Sequence, residues 1–294
     1  MVWLMFALLA PSFFGIANIF DKVLTKRFSP VSLNVAAGLL TGLALPVVPL
    51  LGITLPVNII LLSLAAGVFW FLAGFPYFKA ISIEEPSRVV PLWQLSVPMT
   101  LALAMIFLGE RLSAVSYAAM ILIFLGAFLV SVKNVKTTLR ITPAFWLMIL
   151  ANALVSGAYV LSKGLYPHGG FLEIQILLLA GNFVGALAIF AASGRIRRKM
   201  LSEIMRKDKG IAMAFLTRMC AEITAYIFLN LALLTGPASL TAAIDGLSGF
   251  FVFIAATAIS VWHPSLFKEE LNRKTLLTKA ISISLIMLGL FLIK

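Results

Sequence analysis

Along this chain, runs of about twenty apolar residues alternate with short polar stretches that hold most of the charge. A run of that length crosses the hydrocarbon core of a bilayer as a helix. The pattern predicts ten segments, at 2–20, 31–51, 57–78, 87–108 and 114–132, then 143–163, 171–193, 211–234, 238–261 and 275–293. The alternation of short strands that would mark a membrane barrel is absent, so helices are expected throughout. Pro11, Pro46, Pro91, Pro98 and Gly249 fall inside segments, where such residues mark kinks beside a cavity. The longest connection runs from Gly194 to Gly210 and is strongly basic. No soluble domain fits into any connection, so function must lie within or beside the bilayer.

One stretch occurs twice. Glu85-Pro86-Ser87-Arg88 opens an apolar run that closes at Gly109-Glu110-Arg111-Leu112, and the next segment carries Gly126. Gly236-Pro237-Ala238-Ser239 opens another, closing at Lys268-Glu269-Glu270-Leu271 before a last segment with Gly289. Superposing the two sets Gln94 against Asp245, while Asp21-Lys22 is loosely echoed by Ser162-Lys163. Five segments per half is an odd number, so the second half is expected to be inverted. The expected fold class is an all-α membrane protein, with ten transmembrane helices as two inverted five-helix repeats, 1–132 and 143–294. Such repeats place a binding site near the midplane, between the halves.

Composition agrees. Hydrophobic residues make up 62% and charged residues 12%, against roughly 45–50% and 25% in soluble domains. The net charge of +12 would suggest nucleic acid for a soluble chain. Here the lysines and arginines crowd the connections after odd-numbered segments, and basic connections face the cytoplasm. Both termini are therefore expected outside, in an inner membrane. The first segment has no basic stretch before it and no cleavage site, so it is expected to be retained. Cys220 is the single cysteine, and His168 and His263 lack metal-ligand spacing.

Glu222 lies near the centre of the eighth segment, where a charge costs roughly 2.5–3.5 kcal/mol on insertion scales. Arg218 precedes it by one turn, so the two can pair at i,i+4. Tyr226 and Asn230 continue the same face, and a polar stripe on an apolar helix must face protein or water rather than lipid. Glu222 can serve as a proton-coupling or substrate-binding carboxylate, or only as half of a structural ion pair. Asp245 competes for the same role, flanked by Gly246 and Gly249, which permit local unwinding; its plainer reading is a hydrogen bond between helices. The substrate-binding set is thus Trp93, Gln94, Tyr159, Arg218, Glu222, Tyr226 and Asp245. Trp70 and Tyr77 are further aromatic candidates, Tyr77 near a segment end where aromatic anchors sit. Asn18, Asn152 and Ser156 need inward partners. Arg88, Asp21-Lys22 and Glu110-Arg111 stand at segment ends, where snorkelling, solvation or capping suffices. No catalytic set, metal cluster, phosphate loop or cofactor motif is present.

These features resemble the drug/metabolite transporter superfamily, in particular its EamA-type ten-helix members. The residues that carry the likeness are Pro86, Pro98, Gly109-Glu110-Arg111-Leu112 and Gly126, then Pro237, Glu270-Leu271 and Gly289, with Lys268 departing from the glycine of the first copy. The resemblance implies secondary transport of a small metabolite, often export, through a central cavity. It also implies cytoplasmic termini, against the charge distribution. The implied partners are a small-molecule substrate and the lipid bilayer, with no nucleic acid, in a monomer or homodimer. A lipid-modifying membrane enzyme and a non-transporting receptor or scaffold are the alternatives from other classes.

Overall fold

The structure, a computed structural model, describes residues 2–84, 89–111, 113–131, 143–205, 209–262 and 273–292, and among these it is helical with no strand. The first apolar run becomes α1 (Val2–Thr25), which continues past Asp21 and Lys22. Helix α2 (Pro30–Leu40) starts where Ser29 accepts a hydrogen bond from Ser32 N at 3.4 Å, with Pro30 supplying the fixed φ favoured at a first helical position. A 3-10 segment, Thr41–Val47, and the short α3 (Val48–Leu51) complete that crossing. Helix α4 (Val57–Ile83) is followed by a second 3-10 segment, Val90–Leu95, then α5 (Ser96–Phe107) and α6 (Ala114–Ser131).

The second half begins with α7 (Pro143–Leu165) and α8 (Phe171–Ala192), the latter opened by Glu173, whose carboxylate accepts from Gly170 N at 2.9 Å. The basic connection folds as a short helix, α9 (Gly194–Ile204), before α10 (Lys209–Thr235). Helices α11 (Ala238–Asp245) and α12 (Ser248–Trp262) divide one apolar run between them, and α13 (Arg273–Leu292) ends the chain. Among the described residues, six helical stretches are long and apolar enough to cross a membrane, with shorter apolar helices at Leu92–Phe107, Ala114–Gly126 and Ala238–Val252. This is a multi-pass membrane protein. Leu43, Phe107 and Phe291 stand exposed on its outer surface, as side chains bathed in lipid do.

Several of the packing pairs match across the two halves of the sequence, although α4 also packs along α8 without a comparable contact of α10 with α2. Helix α1 packs along α10 and α7 along α4; α2 meets α8, α5 meets α11, and α6 meets α13. The last pair repeats one contact in both directions. A Cβ on Gly126 would lie 2.7 Å from the Ser282 carbonyl oxygen and 2.8 Å from Ile286 Cγ1. One on Gly289 would lie 2.8 Å from the Ala119 carbonyl oxygen and 2.7 Å from Ile123 Cγ1. From 126 to 289, 119 to 282 and 123 to 286 is the same shift of 163 residues. Only glycine lets the two backbones come this close. Gly126→Leu and Gly289→Leu are each expected to cost roughly 1–3 kcal/mol by overpacking. Because the contacts are equivalent, the two variants should lower the melting temperature in detergent by similar amounts; a large loss in one alone would contradict the equivalence.

Two apolar runs are interrupted, at Val90–Leu95 and between α11 and α12. In the segment Val90–Leu95, Pro91 brings no N–H, and the tightened turn leaves carbonyls in need of donors. Asn152 on α7 donates to Leu92 O at 3.0 Å, and Ser156 donates to Ser96 O at 3.2 Å. These are the inward partners that the two polar residues required. Between α11 and α12 the bonds shorten in register: Leu247 N reaches Ile244 O at 2.9 Å and Gly249 N reaches Gly246 O at 3.3 Å. The Gln94 side chain lies against Gly246, where any Cβ would collide with it. The two breaks therefore touch.

The Gly109-Glu110 turn has a structural task. Gly109 adopts φ 63°, a left-handed conformation that ends α5, and Glu110 N bonds Ala104 O at 3.3 Å. The Glu110 carboxylate then accepts from Ala238 N at 2.8 Å and Ser239 Oγ at 3.0 Å, capping α11 in the other half. Capping is the plainer of the two readings of Glu110. The corresponding Lys268-Glu269-Glu270-Leu271 turn, and Glu85 to Arg88, lie outside the described residues.

Candidate functional site

An arginine buried in an apolar helix bundle needs anionic partners, because no water is there to solvate it. Arg218 on α10 has two. Its Nε donates to Asp21 Oδ1 of α1 at 2.8 Å, and its terminal nitrogens form a fork to Glu222 one turn on, NH2 to Oε1 at 2.8 Å and NH1 to Oε2. The guanidinium also lies over the Phe78 ring, 5.5 Å from its centroid. Tyr77 of α4 completes the group: its hydroxyl sits 2.6 Å from Asn18 Oδ1 and 3.0 Å from Asp21 Oδ2, one proton for two acceptors. Three helices, α1, α4 and α10, are thus tied together by one ionic cluster.

The cluster is asymmetric in its exposure. The side chains of Arg218 and Asp21 are 4% and 3% exposed, whereas that of Glu222 is 25% exposed. All three line a cavity of about 110 Å³, and Glu222 is the most exposed of them. The cavity wall draws on both halves of the sequence: α1, α2, α4 and Trp93 of the Val90–Leu95 segment, and α7, α8, α10 and the break at Asp245.

A second polar centre lies at the α11–α12 break. Tyr159 of α7 donates its hydroxyl to Asp245 Oδ2 at 2.6 Å, while Asp245 Oδ1 is buried with no hydrogen-bond partner. The aromatic wall runs between the two centres. Trp70 stands edge-on to Tyr226, with centroids 4.9 Å apart, and 5.8 Å from Tyr159; Tyr77 and Trp93 are 5.2 Å apart.

Of the seven residues expected to bind substrate, Trp93, Tyr159, Arg218, Glu222, Tyr226 and Asp245 line this cavity. Gln94 is not in the wall. It is 1% exposed, lies against Gly246, and both its amide atoms lack partners. Asn230, the fourth member of the α10 stripe, accepts instead from the Tyr166 hydroxyl at 2.6 Å and is buried away from the cavity.

Two wall residues carry more weight than their sequence positions suggest. Asp21 was expected at a solvated segment end, and Tyr77 either in a cavity wall or as an interfacial anchor; both are buried partners of the ionic cluster and line the cavity. For Asp21 the expected end at residue 20 was too early, since α1 runs on to Thr25. Tyr77 already lay inside the expected segment 57–78, and α4 runs on to Ile83, which sets it farther from the helix end. Asn34, Thr41 and Asn182 also face the cavity, from α2, the 3-10 segment after it and α8, and no periodicity singles them out. Among the described residues, no cluster of His, Cys, Asp and Glu could hold a metal ion.

Residues 1–132 match the model of the EamA-like transporter family. Over that stretch the resemblance read from Pro86, Gly109-Glu110 and Gly126 is borne out. Across 70 residues the chain is 34% identical to a Sinorhizobium sp protein named "Uncharacterized transporter in cobO 3'region". That match takes in 24% of this chain and 47% of the relative, so the chain spans about half the length of the curated protein it matches. A solved structure called "Crystal structure of protein" shares the fold with a TM-score of 0.58, covering 99% of this chain and 94% of its own at 14% identity.

Proposed function

We propose that the match of residues 1–132 to the EamA-like transporter family extends to the working of the whole chain, and that it is a secondary transporter of a small organic metabolite. Two inverted five-helix repeats, 1–132 and 143–294, rock against each other and open the central cavity to each side in turn. The matched packing pairs and the reciprocal Gly126 and Gly289 contacts support the repeat. The interrupted helices at Val90–Leu95 and Gly246–Leu247 support a site at the junction of the halves, since such breaks give a helix a place to bend.

The observation that carries the reading is a surplus carboxylate in the cavity wall. One acid suffices to neutralise Arg218, yet it has two, and the more exposed of them faces the cavity. An extra buried acid is costly and persists where it has work to do. Glu222, with Asp245 as the other candidate, serves as the proton-coupling group. Export is the direction proposed, across an inner membrane with the basic α9 in the cytoplasm and both termini outside. Metabolite profiling of cells and medium tests the reading, comparing cells that produce the protein with cells that lack it. At least one small organic solute should move into the medium only from the producing cells. Identical profiles from both would contradict the proposal.

A further inference from the structure

We infer that the cavity takes organic cations: solutes with an ammonium group on an apolar, aromatic-sized body. This rests on the transporter reading and narrows it to a substrate class. The starting point is the charge of the wall, which among the described residues holds Asp21, Glu222 and Asp245 against Arg218 alone. Arg218 is already taken, with its Nε and both terminal nitrogens held by Asp21 and Glu222. Little of it remains to receive a carboxylate or phosphate.

Asp245 is in the opposite condition. It forms no ion pair among the described residues, and its only hydrogen bond comes from Tyr159. Its Oδ1 is buried and unpartnered. A carboxylate oxygen accepts and an ammonium donates three hydrogens, so the vacancy matches a cation. The surroundings favour the same charge. Tyr159 joins Asp245 to the aromatic cluster, its hydroxyl on the carboxylate and its ring 5.8 Å from Trp70, which in turn packs against Tyr226. Aromatic faces attract cations, more strongly when water is excluded. An ammonium on Asp245 would therefore sit beside these rings while its apolar body filled the space toward Phe14 and Trp93. An anionic solute of equal size would meet three carboxylates.

The test uses purified full-length protein in detergent and tritiated phenethylamine in a scintillation-proximity assay, with 2-phenylethanol and 3-phenylpropionate as competitors of the same body. Phenethylamine should bind about tenfold or more tightly than the alcohol, and the acid should not compete. Asp245→Asn should weaken the amine about tenfold or more, with a monodisperse size-exclusion profile reporting that the variant is folded. Equal binding of amine and alcohol, competition by the acid, or no amine binding would overturn the inference. Those wild-type comparisons hold even if the variant fails to fold. Flux measured with the same amine in proteoliposomes separates the two readings. Amine binding without flux of any solute would sink the transporter and keep the cation site. Flux of an uncharged or anionic metabolite without amine binding would do the reverse.

Discussion

Arg218→Ala is expected to leave little folded protein. Asp21 and Glu222 would then face each other across a cavity edge with no counter-charge, and Asp21 is 2% exposed. Removing one partner of a buried ion pair typically costs about 3–5 kcal/mol, because the other charge stays behind. Here two charges stay behind, and three helices lose their common tie. Size-exclusion profiles and melting temperatures in detergent would show the loss as aggregation or as a large drop in the transition. A triple variant, Arg218→Leu with Asp21→Asn and Glu222→Gln, replaces the cluster by neutral groups of similar size. It should regain most of the stability while remaining unable to transport. If Arg218→Ala alone melted like the wild type, the cluster would not be what holds α1, α4 and α10 together.

Glu222→Gln is expected to separate exchange from accumulation. Glutamine keeps the size and can still accept from Arg218, and Asp21 still balances the guanidinium, so the protein should fold. What it loses is the carboxylate that can take up and release a proton. A solute that disturbed the fork between Arg218 and Glu222 would leave a carboxylate without its counter-charge, and binding a proton is the cheapest way to neutralise it. Solute binding and proton binding are thereby linked at one residue. In proteoliposomes, with the solute found by metabolite profiling, Glu222→Gln should exchange solute across the membrane but no longer accumulate it against a pH gradient. Asp245→Asn is the comparison. Accumulation that survives Glu222→Gln and disappears in Asp245→Asn would move the coupling to Asp245 and leave the fork as structural.

How much could be read from residue order follows from how far apart the partners lie. The Arg218–Glu222 pair was legible because one helical turn separates the two, and a fixed rise brings them together whatever the rest of the chain does. The break at Gly246 was legible because glycine next to a polar residue in an apolar run is a local signal. Asp21 was misplaced for a related reason. Hydropathy falls where polar residues begin, so the first expected segment ended just before Asp21, whereas α1 continues because that residue has partners on other helices. Asn34 and Asn182 carried no local signal at all, since only the packing of α2 and α8 brings them to the cavity. Gln94 matches Asp245 in the repeat, yet the two differ in place: the breaks press together and Gln94 packs as a contact between helices under Gly246, outside the wall.

Alternating access makes one demand that needs no knowledge of the substrate: the same cavity position must meet water from both sides of the membrane. Ser248 lines the cavity at the α11–α12 break, and Cys220 is the single native cysteine. In a Cys220→Ala background, Ser248→Cys would be labelled with a membrane-impermeant methanethiosulfonate, applied to right-side-out and to inside-out vesicles. Ser202→Cys lies on the basic α9, proposed to face the cytoplasm, and should react only in inside-out vesicles, which also checks the orientation. Ser248→Cys should react in both preparations, and the reagent bound from one side should block labelling from the other. Reaction from one side only, or from neither, would contradict a cavity that opens alternately to the two faces.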